Sequence, residues 1–238
     1  MLKQIMLELI GAFLITFVMA FCRINNPADY LLIGTTYFLV TASLSYAFKT
    51  FTGGHFNPIL SISLIFSNQI SFMKAFAYVV VQIIGSLLAG LTVYAIYSPP
   101  GDQEISYYGE PKIKEDSKLV GGFLEFIAMF MLVYVYSAII CNIKAPKYIY
   151  GAAIGGVYSA SLITMGTYSG GCINLITYIG PMVFSNYYDD LIYYTIAQLI
   201  GGLFSAIFYS IFLNKNVTEM DNDEEMEGET SIAKAKAI

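Results

Sequence analysis

Residues 53–68 read GGHFNPILSISLIFSN, and residues 170–186 read GGCINLITYIGPMVFSN. Both stretches open on Gly-Gly, set an Asn three residues after the second Gly, and close on Phe-Ser-Asn. The match extends beyond them. Glu8 and Glu125 lie 117 residues apart, as do Asn57 and Asn174. The QIIGSLLAG that starts at Gln82 returns as QLIGGLFSA from Gln198, 116 residues later. Five matched features in one order make the chain two copies of one plan.

The medium for that plan follows from composition. The 238 residues are 57% hydrophobic and 12% charged, with a mean hydropathy of +0.64. A soluble domain carries about 25% charged residues, so this chain lacks the polar surface to face water. A spanning helix needs about 20 mostly apolar residues. Residues 4–22, 31–48, 73–97, 119–141, 148–168 and 190–213 qualify. The first is read as a helix and not a cleaved leader, because Glu8 interrupts its apolar run and no small-residue cleavage site follows. Six spans place both termini on one side. Lys3, Lys49, Lys74, Lys144, Lys147 and Lys215 gather there, which predicts cytoplasmic termini.

Residues 57–66 and 174–184 are apolar but too short to cross, so each is expected to re-enter the membrane as a half-helix. The chain then divides into a first repeat (1–97), an extracytoplasmic connection (98–118), a second repeat (119–213) and a tail (214–238). The tail holds Glu219, Asp221, Asp223, Glu224, Glu225, Glu227 and Glu229, and reads as solvated and disordered. Each repeat has three spans, an odd number, so the two insert with opposite topology. The half-helices therefore enter from opposite faces, with both N-termini and both Asn residues at the midplane. Backbone of this kind is tolerated at such depth only when buried or lining water. The helix N-termini bring partial positive charge, and Asn is a favoured N-cap.

At these residues the chain resembles the major intrinsic proteins, the aquaporin and aquaglyceroporin family. Asn57-Pro58-Ile59 is similar to the first Asn-Pro-Ala box, and Asn174-Leu175-Ile176 to the second, over residues 3–213. The resemblance implies an all-α membrane fold of six helices and two half-helices arranged as an inverted repeat. It also implies a homotetramer with a pore in each subunit. The predicted function is passive passage of water and small uncharged solutes such as glycerol, urea or ammonia.

The sequence departs from that pattern in two ways. Leu175 stands where the second box has Pro, and Ile59 and Ile176 are bulkier than Ala. The position that in the family carries a filter Arg is Thr177 here, and the only Arg is Arg23. By residue counting, the other filter positions are Tyr37, Leu162 and Gly171. The set predicts a wide, weakly polar outer constriction without a fixed cation. Glu8 and Glu125 are intramembrane carboxylates at matched places, expected to hold the two re-entrant loops by accepting their N–H groups. His55 and Cys172 precede the two Asn residues and are assigned to the pore vestibules. Gly85, Gly90, Gly201 and Gly202 are expected at close helix contacts.

Other chemistry finds little support. Cys22, Cys141 and Cys172 have neither paired nor metal-ligand spacing, which predicts no disulfide framework, no metal and no cofactor. No basic patch suggests nucleic acid, and no nucleophile, base and orienter set suggests an enzyme. Two other readings stay open: a proton-coupled secondary transporter using Glu8 or Glu125, and a non-conducting structural membrane protein. The plasma membrane and the vacuolar membrane are equally compatible with the sequence.

Overall fold

The structure, a computed structural model, describes residues 1–98, 107–141 and 146–212. The acidic tail and residues 99–106 lie outside the described residues, as does the Cys141 side chain. Among the described residues eight α-helices follow one another: α1 Leu2–Asn25, α2 Tyr30–Thr52, α3 Pro58–Phe66, α4 Phe72–Tyr97, α5 Lys118–Cys141, α6 Tyr150–Ser169, α7 Ile176–Ser185 and α8 Leu191–Phe212. Six are long, and α3 and α7 are the two short ones expected between them. Five of the long helices are apolar enough to cross a membrane on hydropathy alone. The sixth, α6, falls short because Gly, Ser, Thr and Tyr replace aliphatic residues along it. Tyr150, Tyr158 and Leu162 of α6 face inward.

The packing is paired. α1 lies along α4 as α5 lies along α8, and α1 meets α2 as α5 meets α6. The short helices cross over: α3 packs on α8 and α7 on α4, while α2 and α6 pair with each other across the middle. Glycines set the closest approaches. A Cβ on Gly85 would lie 2.5 Å from the Leu9 carbonyl oxygen of α1, and one on Gly201 would lie 2.3 Å from the Phe126 carbonyl of α5. Gly90 meets the backbone of Gly180 in α7, and Gly202 meets Ser63 and Ile59 of α3. All four glycines thus stand at helix contacts, as the sequence predicts. The outer surface carries Leu39, Phe76, Leu88, Phe123, Ile200 and Phe204, which suits a hydrocarbon surround.

The Phe-Ser-Asn endings have their own role. Asn68 and Asn186 both adopt left-handed backbone, with φ 57° and 55°, a conformation Asn tolerates better than most residues at a helix end. After α3, Gln69 N–H returns to the Leu64 carbonyl at 3.0 Å and closes the last turn. The far connection is not a free loop where it is described. Glu110 and Ile113 are buried, and the buried Asp190 carboxylate accepts from Ile113 N–H (2.8 Å) and Tyr187 Oη (2.9 Å) and pairs with Lys118.

Candidate functional site

Each short helix is reached by a tight turn. Gly53 and Gly54 have φ of 90° and 62°, and Gly170 and Gly171 have 72° and 61°. The residues just before the two Asn, Phe56 and Ile173, are also left-handed, at 42° and 54°. A large side chain in that region costs on the order of 1–3 kcal/mol, so something must hold it. The two carboxylates do so in the same way. Glu8 accepts from His55 N–H (3.1 Å), Phe56 N–H (2.8 Å) and Gln82 Nε2 (2.8 Å). Glu125 accepts from Cys172 N–H (2.9 Å), Ile173 N–H (2.7 Å) and Gln198 Nε2 (2.9 Å). All six of these partners are donors, so each carboxylate meets its loop and its Gln as an acceptor.

The strained carbonyls point at the opposite box. Asn57 Nδ2 donates to the Ile173 carbonyl (3.2 Å), and Asn174 Nδ2 donates to the Phe56 carbonyl (2.8 Å). Asn57 Oδ1 caps α3 by accepting from Ile59 N–H (3.0 Å) and Leu60 N–H (3.2 Å), with Pro58 in the first turn. The second cap is looser. Asn174 Oδ1 meets only Ile176 N–H, at 3.4 Å. Leu175 has helical angles, but the first bonds there are of the tighter i to i+3 kind, and regular α7 begins at Ile176. The Ile176 carbonyl is in turn held by the hydroxyls of Thr16 (3.1 Å) and Ser86 (2.5 Å).

Tyr37, Leu162, Gly171 and Thr177 do come together. They do not form a wide opening. All four are buried, and a Cβ on Gly171 would lie 2.6 Å from Leu162 Cγ. Thr177 turns its hydroxyl to the Asn174 carbonyl (2.9 Å), and Tyr37 Oη, close to Thr177, has no hydrogen-bond partner. A residue that the sequence reading passed over fills the space below them. Tyr158 stacks on Tyr37 with ring centroids 4.5 Å apart, and its Oη accepts from Asn57 Nδ2 at 3.0 Å. Its spacing carried the signal: Tyr158 stands one turn before Leu162 on the same face of α6.

The expectation that no fixed cation stands near the filter is also corrected. Arg23, near the end of α1, donates Nη1–H to the Gly170 carbonyl and Nη2–H to the Gly171 carbonyl, both at 2.8 Å. Arg23 is buried and forms no ion pair among the described residues. A single Arg near the end of an apolar helix was the available signal. Beside it opens a cavity of about 220 Å³ lined by Arg23, Tyr30, Tyr107, Glu110, Lys112 and Gly170, among others. Glu110, which lines the same cavity, pairs with Lys112 at 3.2 Å. Burial pushes the Tyr107 hydroxyl up to about 12, so it stays neutral.

His55 is not free in a vestibule. Its Nδ1 pairs with Ser61 Oγ at 3.0 Å, and the rings of Tyr78 and Tyr136 meet it edge to face. Cys172 is buried, with Sγ near the Asn174 carbonyl (3.4 Å). Among the described residues, no group of His, Cys, Asp and Glu is placed to hold a metal.

Known proteins share both sequence and shape with this chain. Residues 1–209 match the family model described as Major intrinsic protein. Aquaporin NIP3-1 of Arabidopsis thaliana is 28% identical over 220 residues, covering 86% of this chain and 67% of that protein. Glycerol uptake facilitator protein-like 6 of Lactiplantibacillus plantarum is 25% identical over 207 residues, covering 86% and 95%. The X-ray structure of the aquaglyceroporin from Plasmodium falciparum superposes with a TM-score of 0.73 at 19% identity, covering 91% of this chain and 98% of that one. The fold is therefore the aquaporin fold, an all-helical multi-pass membrane architecture, and the chain belongs to the major intrinsic protein family.

Proposed function

We propose that the chain is a passive membrane channel for water and small uncharged solutes, glycerol foremost, with one pore in each subunit of a homotetramer. The observation that carries this reading is the meeting of two half-helix N-termini at Asn57 and Asn174. Two positive helix ends in a low-dielectric interior oppose cations without binding a neutral molecule tightly. Names among the relatives, an aquaporin and a glycerol uptake facilitator, support the same solute class.

In this reading Asn57, Pro58, Ile59, Asn174, Leu175 and Ile176 form the midplane of the pore. Tyr37, Leu162, Gly171 and Thr177 bound it on the far side, and Arg23 provides the positive charge there. Glu8 and Glu125 support the loops and carry no proton during transport. Residues 1–97 and 119–213 act as the two inverted halves. Both termini are cytoplasmic, and the plasma membrane or the vacuolar membrane is the site. Water and glycerol permeability of proteoliposomes, read by light scattering after an osmotic step, tests the proposal.

A second reading, a non-conducting member, is favoured by one observation. Tyr37, Tyr158, Leu162, Asn57 and Asn174 are each no more than 2% exposed, which leaves no water-wide passage in this conformation.

A further inference from the structure

We infer that Tyr158 is the gate of this pore and the residue that limits its permeability; the inference rests on the channel reading above. Three relationships lead to it. The first is position. Tyr158 and Leu162 share one face of α6, and Tyr158 touches both Tyr37 and Asn57, so its side chain lies between the outer filter positions and the paired Asn. The second is bulk. Its ring stacks on Tyr37 at 4.5 Å with 26° between planes, and both rings are no more than 2% exposed, so neither offers a surface to a file of water.

The third is the count of hydrogen-bond donors. A primary amide has two N–H groups. Asn57 gives one to the Ile173 carbonyl and the other to Tyr158 Oη. It has none left for a passing solute. Asn174 gives one to the Phe56 carbonyl and has Tyr158 beside it. While Tyr158 is in place, the midplane is closed to passage and Asn57 is closed to recognition. When the side chain leaves, one move widens the lumen and releases an Asn57 N–H that can face a solute oxygen. The bond received from Asn57 and the stack on Tyr37 hold the closed position of a ring that is 2% exposed. A neutral hydrogen bond and an aromatic stack are both modest. A ring this buried leaves only when its neighbours shift with it, so opening is a collective motion on the microsecond to millisecond scale.

The test compares wild type, Tyr158→Phe and Tyr158→Val in proteoliposomes, with water and glycerol flux normalised to folded protein by gel filtration. Tyr158→Phe keeps the ring and removes the bond; it should raise water flux severalfold, the factor of one ordinary hydrogen bond. Tyr158→Val removes both restraints and should raise flux about tenfold or more, with glycerol gaining more than water because the lumen widens. If Tyr158→Val does not fold, the near-isosteric Phe variant decides alone. A conducting wild type with both variants within twofold of it (the low end of what one hydrogen bond is worth) would overturn the gate and leave the channel reading intact. No flux in any of the three would overturn both, because removing the plug would have exposed no path.

Discussion

Asn57 and Asn174 each donate an amide proton to the carbonyl of the residue that precedes the other, Ile173 and Phe56 respectively. The two boxes are locked reciprocally, and each carbonyl reaches its donor because its own residue is held in left-handed backbone. The repeat in the sequence is therefore the repeat of a contact. Each half supplies a donor, an acceptor and the carboxylate that holds the acceptor in place.

Asn57→Asp and Asn174→Asp should both damage this lock. A carboxylate cannot donate, so it would face a carbonyl oxygen left without its partner, at a cost of about 1–3 kcal/mol. It would also reverse the local charge between two helix N-termini. Cation leak into vesicles carrying a pH-sensitive dye should rise in both variants. Unchanged leak in both would remove the midplane barrier from the account.

Glu8→Gln and Glu125→Gln should lower thermal stability by similar amounts, each by about 2 kcal/mol or more, since an amide puts a donor where the loop also donates. Flux per folded protein should stay independent of a proton gradient. Loss of gradient-driven uptake in a variant of normal stability would favour proton coupling instead.

Arg23 separates charge from shape. Arg23→Lys keeps the cation but loses the fork on Gly170 and Gly171, whereas Arg23→Gln loses the cation. Cation and proton leak should rise in the Gln variant and stay low in the Lys variant. Equal leak in both would make Arg23 a brace for the loop only.

Gly201→Ala would place a methyl group 2.3 Å from a carbonyl of α5, and Gly85→Ala would meet α1 at 2.5 Å. Each should destabilise by about 1–3 kcal/mol or more, because backbone cannot yield as a side chain can. Gly156→Ala, which has nothing within 4 Å, is the control and should be near neutral. A melting temperature for Gly201→Ala equal to that of the control would contradict the packing described here.

Much of this was legible in the sequence because it is periodic or local. Apolar runs fix helices to within a few residues, and the equal offsets of Glu8, Gly53 and Asn57 from Glu125, Gly170 and Asn174 reveal the paired halves. Contacts across the chain are a different matter. Arg23 finds its carbonyls 147 and 148 residues away, and Tyr158 finds Asn57 at a separation of 101. No periodicity encodes such pairs. Counting indicates Tyr37, Leu162, Gly171 and Thr177, and a set that is small on two sides and lacks a cation suggests a wide opening. What the count leaves out is the stack of Tyr158 on Tyr37, made from one turn before Leu162. Arg23 escapes the sequence pattern for the same reason: it reaches the Gly170 and Gly171 carbonyls from α1, outside the box where the family pattern places its Arg.

The most direct measurement is osmotic. Purified wild-type protein in liposomes is mixed with sucrose, and separately with glycerol, while light scattering records the volume. Water permeability should exceed that of protein-free liposomes, glycerol should enter and restore the volume, and neither rate should change when a pH gradient is imposed. Folded protein with both rates equal to those of empty liposomes, or with uptake only under a proton gradient, would contradict the channel.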